Sequence, residues 1–284
     1  MADKTKAPPA YASDDRRPVT VATLLDMKRK GVKVAMLTAY DFPTARLAEE
    51  AGVDVVLVGD SVAMTKLGYD STLPVTMDEM LHHVKAVKRG LSRALLVADM
   101  PYLSYELDAK EAARNAGRFL KEGGAHAVKL EGGIEIAPVI KELIKVNVPV
   151  IGHLGLTPQA VNRLGGYKVQ GRKPQDAERI LTEARVLEGA GVCAVVLECV
   201  PAELAKEITK RLQVPTIGIG AGPHCDGQVL VSDDMLGLTE AAPHRFVKRY
   251  ADWRATALAA VADYCREVRD GAFPGPEHSF TTKA

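Results

Sequence analysis

A short run of apolar, mostly β-branched residues that halts on an ionisable side chain occurs five times in this chain. No other feature limits the available folds as much. Val53-Asp-Val-Val-Leu-Val-Gly runs into Asp60 and then Ser61, and Ala94-Leu-Leu-Val-Ala stops at Asp99. Ala127-Val-Lys-Leu stops at Glu131, Val148-Pro-Val-Ile-Gly at His153, and Ala194-Val-Val-Leu at Glu198. Runs this short and continuous read as strands buried on both faces, which is the pattern of a parallel sheet. In a parallel β/α barrel the C-terminal strand ends converge on one face, where the active sites of such barrels lie. Any one of these residues could instead cap a helix or open a polar loop. Repeated over five strands, the pattern points to a shared site.

The rest of the chain supplies the alternation a barrel needs. Helical runs are expected at Val21–Lys30, Asp41–Glu50, Met77–Arg89, Ala109–Glu122, Glu135–Val146, Gln175–Gly189 and Ala202–Leu212. Thr76 is a natural N-cap, and Asp78 and Glu79 suit the positive end of the helix it opens. Strands are expected at Val32–Tyr40 and Val214–Ile219 and, shortest of all, at Gln228–Ser232. Together with the five runs above, these make eight. The fold class this predicts is α/β, a (β/α)8 TIM barrel. The helix Val21–Lys30 would cap its bottom, and a long C-terminal helix would run from His244 to Gly271. An open, doubly wound sheet fits less well, because the ionisable ends are spread over strands two to six rather than gathered at one switch point. Residues 1–18, with Pro8-Pro9 and scattered charges, read as a disordered lead, and 19–284 as a single catalytic barrel domain. Two loops stand out for length, Ser61–Val75 and Leu154–Pro174.

Composition removes several function classes. The 37 basic and 36 acidic residues leave a formal charge of +1, which offers nothing to nucleic acid or an anionic membrane. No apolar run approaches the roughly 20 residues of a membrane span. The N-terminus lacks a signal-peptide core, and Asp3, Asp14 and Asp15 argue against an acid-poor transit peptide. The four cysteines, Cys193, Cys199, Cys225 and Cys265, show neither metal-ligand nor redox spacing, so reduced thiols in the cytoplasm are expected.

Asp60, Asp99 and Glu131 are hard oxygen donors on three successive strands. A few carboxylates with open positions suit Mg²⁺, and no Cys/His cluster favours Zn²⁺; solvated loop acids are the plainer reading. Lys129 shares a strand face with Glu131 by the period of two, so it would lie beneath the mouth among anions, able to hold a substrate carboxylate. His153 could hydrogen-bond a substrate or serve only as a loop or core histidine. Glu198, after Ala-Val-Val-Leu, has the apolar surroundings that suit a general base. Cys199 points to the other face and is no candidate nucleophile. Ile217-Gly-Ile-Gly-Ala-Gly222 could cradle a phosphate, or could be only a tight turn.

Read together, these stretches resemble the ketopantoate hydroxymethyltransferase family. The similarity rests on Leu37-Thr-Ala-Tyr-Asp41, Leu57-Val-Gly-Asp-Ser61, Asp70-Ser-Thr-Leu-Pro-Val-Thr76, Lys129-Leu-Glu-Gly-Gly133 and Gly152-His-Leu-Gly-Leu-Thr-Pro158. It continues through Gly165-Gly-Tyr-Lys-Val-Gln-Gly-Arg172, Leu197-Glu-Cys-Val-Pro201, Ile217–Gly222 and Glu277-His-Ser-Phe280, in order from about Val19. The resemblance implies a reaction of 3-methyl-2-oxobutanoate with 5,10-methylenetetrahydrofolate that gives 2-dehydropantoate and tetrahydrofolate, at the entry to pantothenate and coenzyme A synthesis. It implies Asp60 and Asp99 as Mg²⁺ ligands that also meet the substrate, and Glu131 as the third metal-site carboxylate. Ser61 and Lys129 would bind substrate, His153 would line the pocket, and Glu198 would be the base. It further implies a homo-oligomer, a ring-like decamer. Two other readings compete: a Mg²⁺-dependent 2-oxoacid C–C lyase or mutase of the phosphoenolpyruvate mutase/isocitrate lyase type, and a non-catalytic barrel that binds a small acid. No Lys-Lys-Cys-Gly-His-like lyase stretch is present, and a complete set of Asp60, Asp99, Lys129, Glu131 and Glu198 argues against a mere binder.

Overall fold

Each expected strand forms, five of the eight shorter than the run that encodes it. The computed structural model describes residues 17–240 and 244–282, so almost all of the lead predicted to be disordered lies outside the described residues. The chain runs α1 (Val21–Lys30), β1 (Val34–Thr38), α2 (Phe42–Glu50), β2 (Val55–Val58), α3 (Val62–Thr65), α4 (Met77–Lys88), β3 (Leu95–Asp99) and α5 (Ala109–Lys121). It continues through β4 (Ala127–Glu131), α6 (Ala137–Lys145), β5 (Val150–Gly155), α7 (Val161–Leu164), α8 (Pro174–Ala190), β6 (Ala194–Glu198) and α9 (Ala202–Arg211). The last elements are β7 (Thr216–Ile219), β8 (Gly227–Leu230), α10 (Ser232–Leu236) and α11 (Trp253–Asp270). The eight strands pair in sequence order, all parallel, and β8 closes on β1.

Strand parity builds two cores. Val55 and Leu57, Leu95 and Val97, Ala127, Ile151, and Ala194 and Val196 form one apolar cluster inside the barrel. Their alternates, among them Val56, Leu96, Val128, Leu130, Val150 and Leu197, pack outward with residues of the helices. The inward parity, continued toward the C-terminal ends, falls on Asp99, Lys129, Glu131, His153 and Glu198. Register then sets neighbours: Asp99 stands beside Lys129, Glu131 beside His153, and Gly155 beside Glu198.

Helix α1 is held at its start by a capping box of Thr20 and Thr23. Its Leu24 is buried in the inner cluster, with Val21 and Met27 packed against it, so the helix plugs the barrel as its position before β1 suggested. Lys28 anchors it through Asp226 Oδ2 at 2.7 Å and Thr209 O at 3.0 Å. The predicted Thr76 cap also forms, with Glu79 answering the Thr76 N–H at 2.8 Å.

The chain divides into two compact units, residues 1–231 and 232–284. In the second, the expected helix from His244 starts only at Trp253. The stretch before it is spent on turn contacts, with Tyr250 N–H donating to Met235 O at 2.8 Å, and Asp252 caps the helix by accepting from Ala255 N–H at 3.2 Å. α11 ends at Gly271 in the left-handed conformation and has no buried residue. No described helix is long and apolar enough to cross a membrane.

Candidate active site

The five ionisable strand ends and Lys129 gather at one mouth of the barrel, all buried except the partly exposed Glu198. Lys129 Nζ lies 2.8 Å from Asp99 Oδ1, 3.5 Å from Glu131 Oε1 and 3.0 Å from His153 Nδ1. Burial works against its charge, but Asp99, Glu131 and Asp60 outweigh burial and hold the ammonium's pKa above its usual value. His153 bridges the next two carboxylates. Its Nδ1 is 3.2 Å from Glu131 Oε1 and its Nε2 3.2 Å from Glu198 Oε2, the latter off the line of a hydrogen bond. Burial and Lys129 lower the affinity of the ring for a proton, and Glu131 and Glu198 more than offset them, so its pKa is raised to about 9. Glu131, opposed by burial but facing Lys129 and His153, has its pKa lowered.

Asp60 and Asp99 form the opposite half of the cluster. Asp60 N–H donates to Asp99 Oδ2 at 3.1 Å. Burial, then Asp99 and Glu131, push the pKa of Asp60 well up, and burial and Glu131 also raise that of Asp99. Asp99 Oδ1 is a buried oxygen with no donor aligned to it, despite the nearby ammonium. Two crowded carboxylates whose ionised forms repel each other are the donor set a hard divalent cation relieves, and Mg²⁺ needs only one or two from a protein. Among the described residues no three His, Cys, Asp or Glu side chains converge as a ready metal cage. Lys129 and His153 lie at Oε1 of Glu131, and Gln159 N–H donates to its Oε2 at 3.0 Å.

Ser61 follows Asp60 and sits at the start of α3, its Oγ 2.8 Å from Tyr40 Oη. Gly155 has φ +96°, and a Cβ there would come within 2.2 Å of Glu198 O. Only glycine lets β5 pass so close, and Leu156 N–H then fastens Glu198 O at 2.9 Å. The glycines after β7 serve packing: a Cβ on Gly222 would strike Ala202 at 2.5 Å, and Gly222 O accepts from Gln228 Nε2. Cys199 is buried, and burial followed by Glu198 pushes its thiol up to about 12, so it supplies no thiolate.

Two residues with no motif of their own complete the cluster. Gln159 lies in the loop after β5, and its Nε2 donates to Asp60 Oδ2 and to Met100 O, each at 2.9 Å. Tyr105, after β3, has its hydroxyl 2.7 Å from Gln159 Oε1 and accepts from Glu131 N–H at 3.1 Å. Above them the two long loops meet. Tyr167 Oη stands 3.8 Å from Met64 Sδ, and burial, Asp60, Glu198 and Glu131 raise the pKa of its phenol.

A (β/α)8 barrel with buried carboxylates, a lysine and a histidine converging at its C-terminal mouth is an enzyme scaffold. The sequence model of ketopantoate hydroxymethyltransferase matches residues 18–276. The chain belongs to that family. It is 55% identical over 263 residues to the 3-methyl-2-oxobutanoate hydroxymethyltransferase of Thermoanaerobacter sp. (strain X514), covering 93% of this chain and 96% of that one. It is 58% identical over 262 residues to the enzyme of the same name from Syntrophotalea carbinolica, covering 92% and 98%. Among solved structures, phosphoenolpyruvate phosphomutase from Streptomyces platensis subsp. rosaceus has the same fold, with a TM-score of 0.59 at 17% identity over 89% of this chain and 88% of that one. Phosphonopyruvate hydrolase crystallised with oxalate and Mg²⁺ is alike to the same TM-score at 16% identity, over 91% and 92%. These two likenesses concern the fold alone.

Proposed function

We propose that this barrel transfers a hydroxymethyl group from 5,10-methylenetetrahydrofolate to 3-methyl-2-oxobutanoate, giving 2-dehydropantoate and tetrahydrofolate. Asp60 and Asp99 would hold Mg²⁺, with Glu131 the third carboxylate behind them. When bound, the ion supplies Lewis-acid stabilisation of the negative charge that develops on the keto oxygen. Lys129 and Ser61 bind the 2-oxoacid, the ammonium facing its carboxylate. Glu198 takes the proton from C3, held in place by His153 and by the Leu156 N–H on its backbone. C3 then bonds to the one-carbon unit, its two C–N bonds to the folate break, a water supplies the hydroxyl oxygen, and the proton taken by Glu198 together with one proton of that water ends on the two folate nitrogens. Loops 61–75 and 154–174, which touch through Tyr167 and Met64, cover the site and keep bulk water from the carbanion.

The observation that supports this most is a base and a cation-binding pair on one mouth, separated by a lysine and a histidine that keep their charges apart. The test is proton exchange at C3 of 3-methyl-2-oxobutanoate in D₂O, followed by NMR. The expected result is loss of the C3 signal with Mg²⁺, stopped by chelation, and slowed at least about 100-fold by Glu198→Gln. A C3 signal that persists with Mg²⁺ and methylenetetrahydrofolate both present would refute the reading.

The protein is further proposed to act in the cytoplasm as a homo-oligomer of the ring-like decameric kind. The exposed Leu258, Val261, Tyr264 and Val268 along α11 support a helix face covered by another copy. Light scattering on the eluted protein would decide it.

A further inference from the structure

The sequence singles out charged residues at strand ends, yet a neutral side chain outside the strands makes as many polar contacts in the cluster as any of them. Gln159 is buried, and each of its polar groups in the site has a partner. Its two amide hydrogens meet two acceptors, Asp60 Oδ2 and Met100 O, at 2.9 Å each. Its own backbone N–H meets Glu131 Oε2 at 3.0 Å. Its Oε1 faces the Tyr105 hydroxyl at 2.7 Å, closer than the 3.0 Å from that hydroxyl to Glu131 O. This fixes which end of the amide is oxygen, because Asp60 and Met100 offer only lone pairs and Tyr105 offers a proton. One residue thereby spans β2, β3 and β4. It binds the carboxylate of Asp60, the backbone beside Asp99 and the carboxylate of Glu131.

The chemistry of the residue matters as much as its reach. An arginine or lysine at this place would orient Asp60 equally well, but its charge would cancel the attraction the pair holds for a cation. An amide donates without charge. It occupies Asp60 Oδ2 and leaves Asp60 Oδ1 clear of the amide, while Asp99 Oδ1 faces the Lys129 ammonium at 2.8 Å with no hydrogen bond aligned to it. We propose that Gln159, anchored by Tyr105, is the positioning residue of the cation site, setting Asp60 and Glu131 in place without lending either of them charge. The assignment rests on the reading of Asp60 and Asp99 as the cation-binding pair.

The test is titration with Mn²⁺ alone, in the absence of 2-oxoacid and folate, with free ion followed by electron paramagnetic resonance. Gln159→Met keeps the length and removes the side-chain hydrogen bonds. It is expected to weaken Mn²⁺ binding about 10–100-fold, the usual loss when a partner that orients a metal ligand is removed. Tyr105→Phe keeps the ring and removes only the anchor, and is expected to lose less, though measurably. If Gln159→Met does not fold, Tyr105→Phe carries the test. Turnover of Gln159→Met should recover at saturating Mg²⁺, since the defect is in holding the ion; turnover reduced at every Mg²⁺ concentration would mean general distortion and overturn the proposal. Native Mn²⁺ affinity in a folded variant, or no Mn²⁺ uptake by the native protein, overturns it as well. If native protein binds Mn²⁺ through Gln159 but never exchanges the C3 proton, the proposed reaction fails and this assignment stands. Exchange in the native protein with unchanged Mn²⁺ affinity in Gln159→Met fails this assignment alone.

Discussion

Lys129→Met tests whether the site is an ionised cluster held by one ammonium. Methionine keeps the unbranched stem and removes the charge, so packing in the barrel mouth changes little. What remains is Asp99, which loses the ammonium at 2.8 Å, and Glu131, which loses it at 3.5 Å, both buried. Breaking a buried pair by deleting one partner costs about 3–5 kcal/mol, because the other charge stays desolvated. At about 2–3 °C per kcal/mol for a chain of this size, the thermal midpoint in chelator should fall by roughly 6–15 °C. The pH dependence carries the sign. The pKa of Lys129 is raised, so its stabilisation is complete below the unfolded value of 10.5 and is constant across the neutral range. Asp60 and Asp99 are raised above 3.8, so the fold binds their protons more tightly than the unfolded chain, and stability falls as pH climbs from 3.8 through the raised values. Without Lys129 those values rise further and the fall with pH steepens. The deficit of the variant should therefore be largest at alkaline pH and shrink on acidification, where protons replace the missing ammonium. Mg²⁺ at alkaline pH should narrow it too, by binding the folded state. Calorimetry with chelator and with Mg²⁺, in alkaline and in acidic buffer, reads all of this. A deficit that is absent, or that grows on acidification, would refute an ionised cluster balanced by Lys129.

Two further outcomes test the frame around the site. Glu49 ties α2 to the entry of β3, accepting from Arg93 N–H and Ser92 Oγ at 2.6 Å each and from Ala94 N–H at 3.1 Å. Burial raises its pKa, but these hydrogen bonds lower it more, to a value below 4.5. Its contribution is thus present above 4.5 and lost as pH falls through the folded value, so Glu49→Gln should cost about 1 kcal/mol at neutral pH and nothing in acid; a gap that persists in acid denaturation curves would contradict this. Burial pushes the thiols of Cys193 and Cys199 up to about 12, and Cys225 is raised as well, whereas Cys265 on α11 is partly exposed. An aromatic disulfide reagent should find at most one fast thiol in the native protein, slowed if another copy covers α11; two or more fast thiols would refute the burial of the barrel cysteines.

How much of the fold and site is legible in the sequence follows from what each part depends on. Strand parity is local. Leu95, Val97 and Asp99, or Ala194, Val196 and Glu198, alternate by two, so once the first two of each set are known to face the inner cluster the third is fixed at the mouth. The capping pair Thr76 and Glu79 and the plug of α1 are readable for the same reason, since the signal and the structure lie within a few residues of each other. Several strands begin later than their runs suggest: Val32, Val53 and Val214 carry the right side chains for a strand but are spent on entry turns. The start of α11 is hidden because Asp252 decides it through one cap bond, while the residues before it look equally helical in composition. Gln159 and Tyr105 leave no trace at all. Neither sits in a periodic element, and a loop glutamine acquires its role only when β2, β3 and β4 have been brought side by side.

The arrangement also explains why four carboxylates can share one barrel mouth. They fall into two halves with different partners. Asp60 and Asp99 have raised pKa values; Asp60 is oriented by the neutral Gln159 amide, while Asp99 accepts from the Asp60 backbone N–H and also faces the Lys129 ammonium at 2.8 Å. Glu131 has a lowered pKa and takes Lys129 and His153, and His153 in turn stands against Glu198. In the proposed reaction, charge added to the first half by a bound ion would be separated, by a lysine and an imidazole, from the proton taken up by Glu198. If all four had faced the ion, the base would have been held by it and unable to take a proton. Under the proposed reaction, dividing them is what would let a single pocket both acidify a carbon and accept its proton.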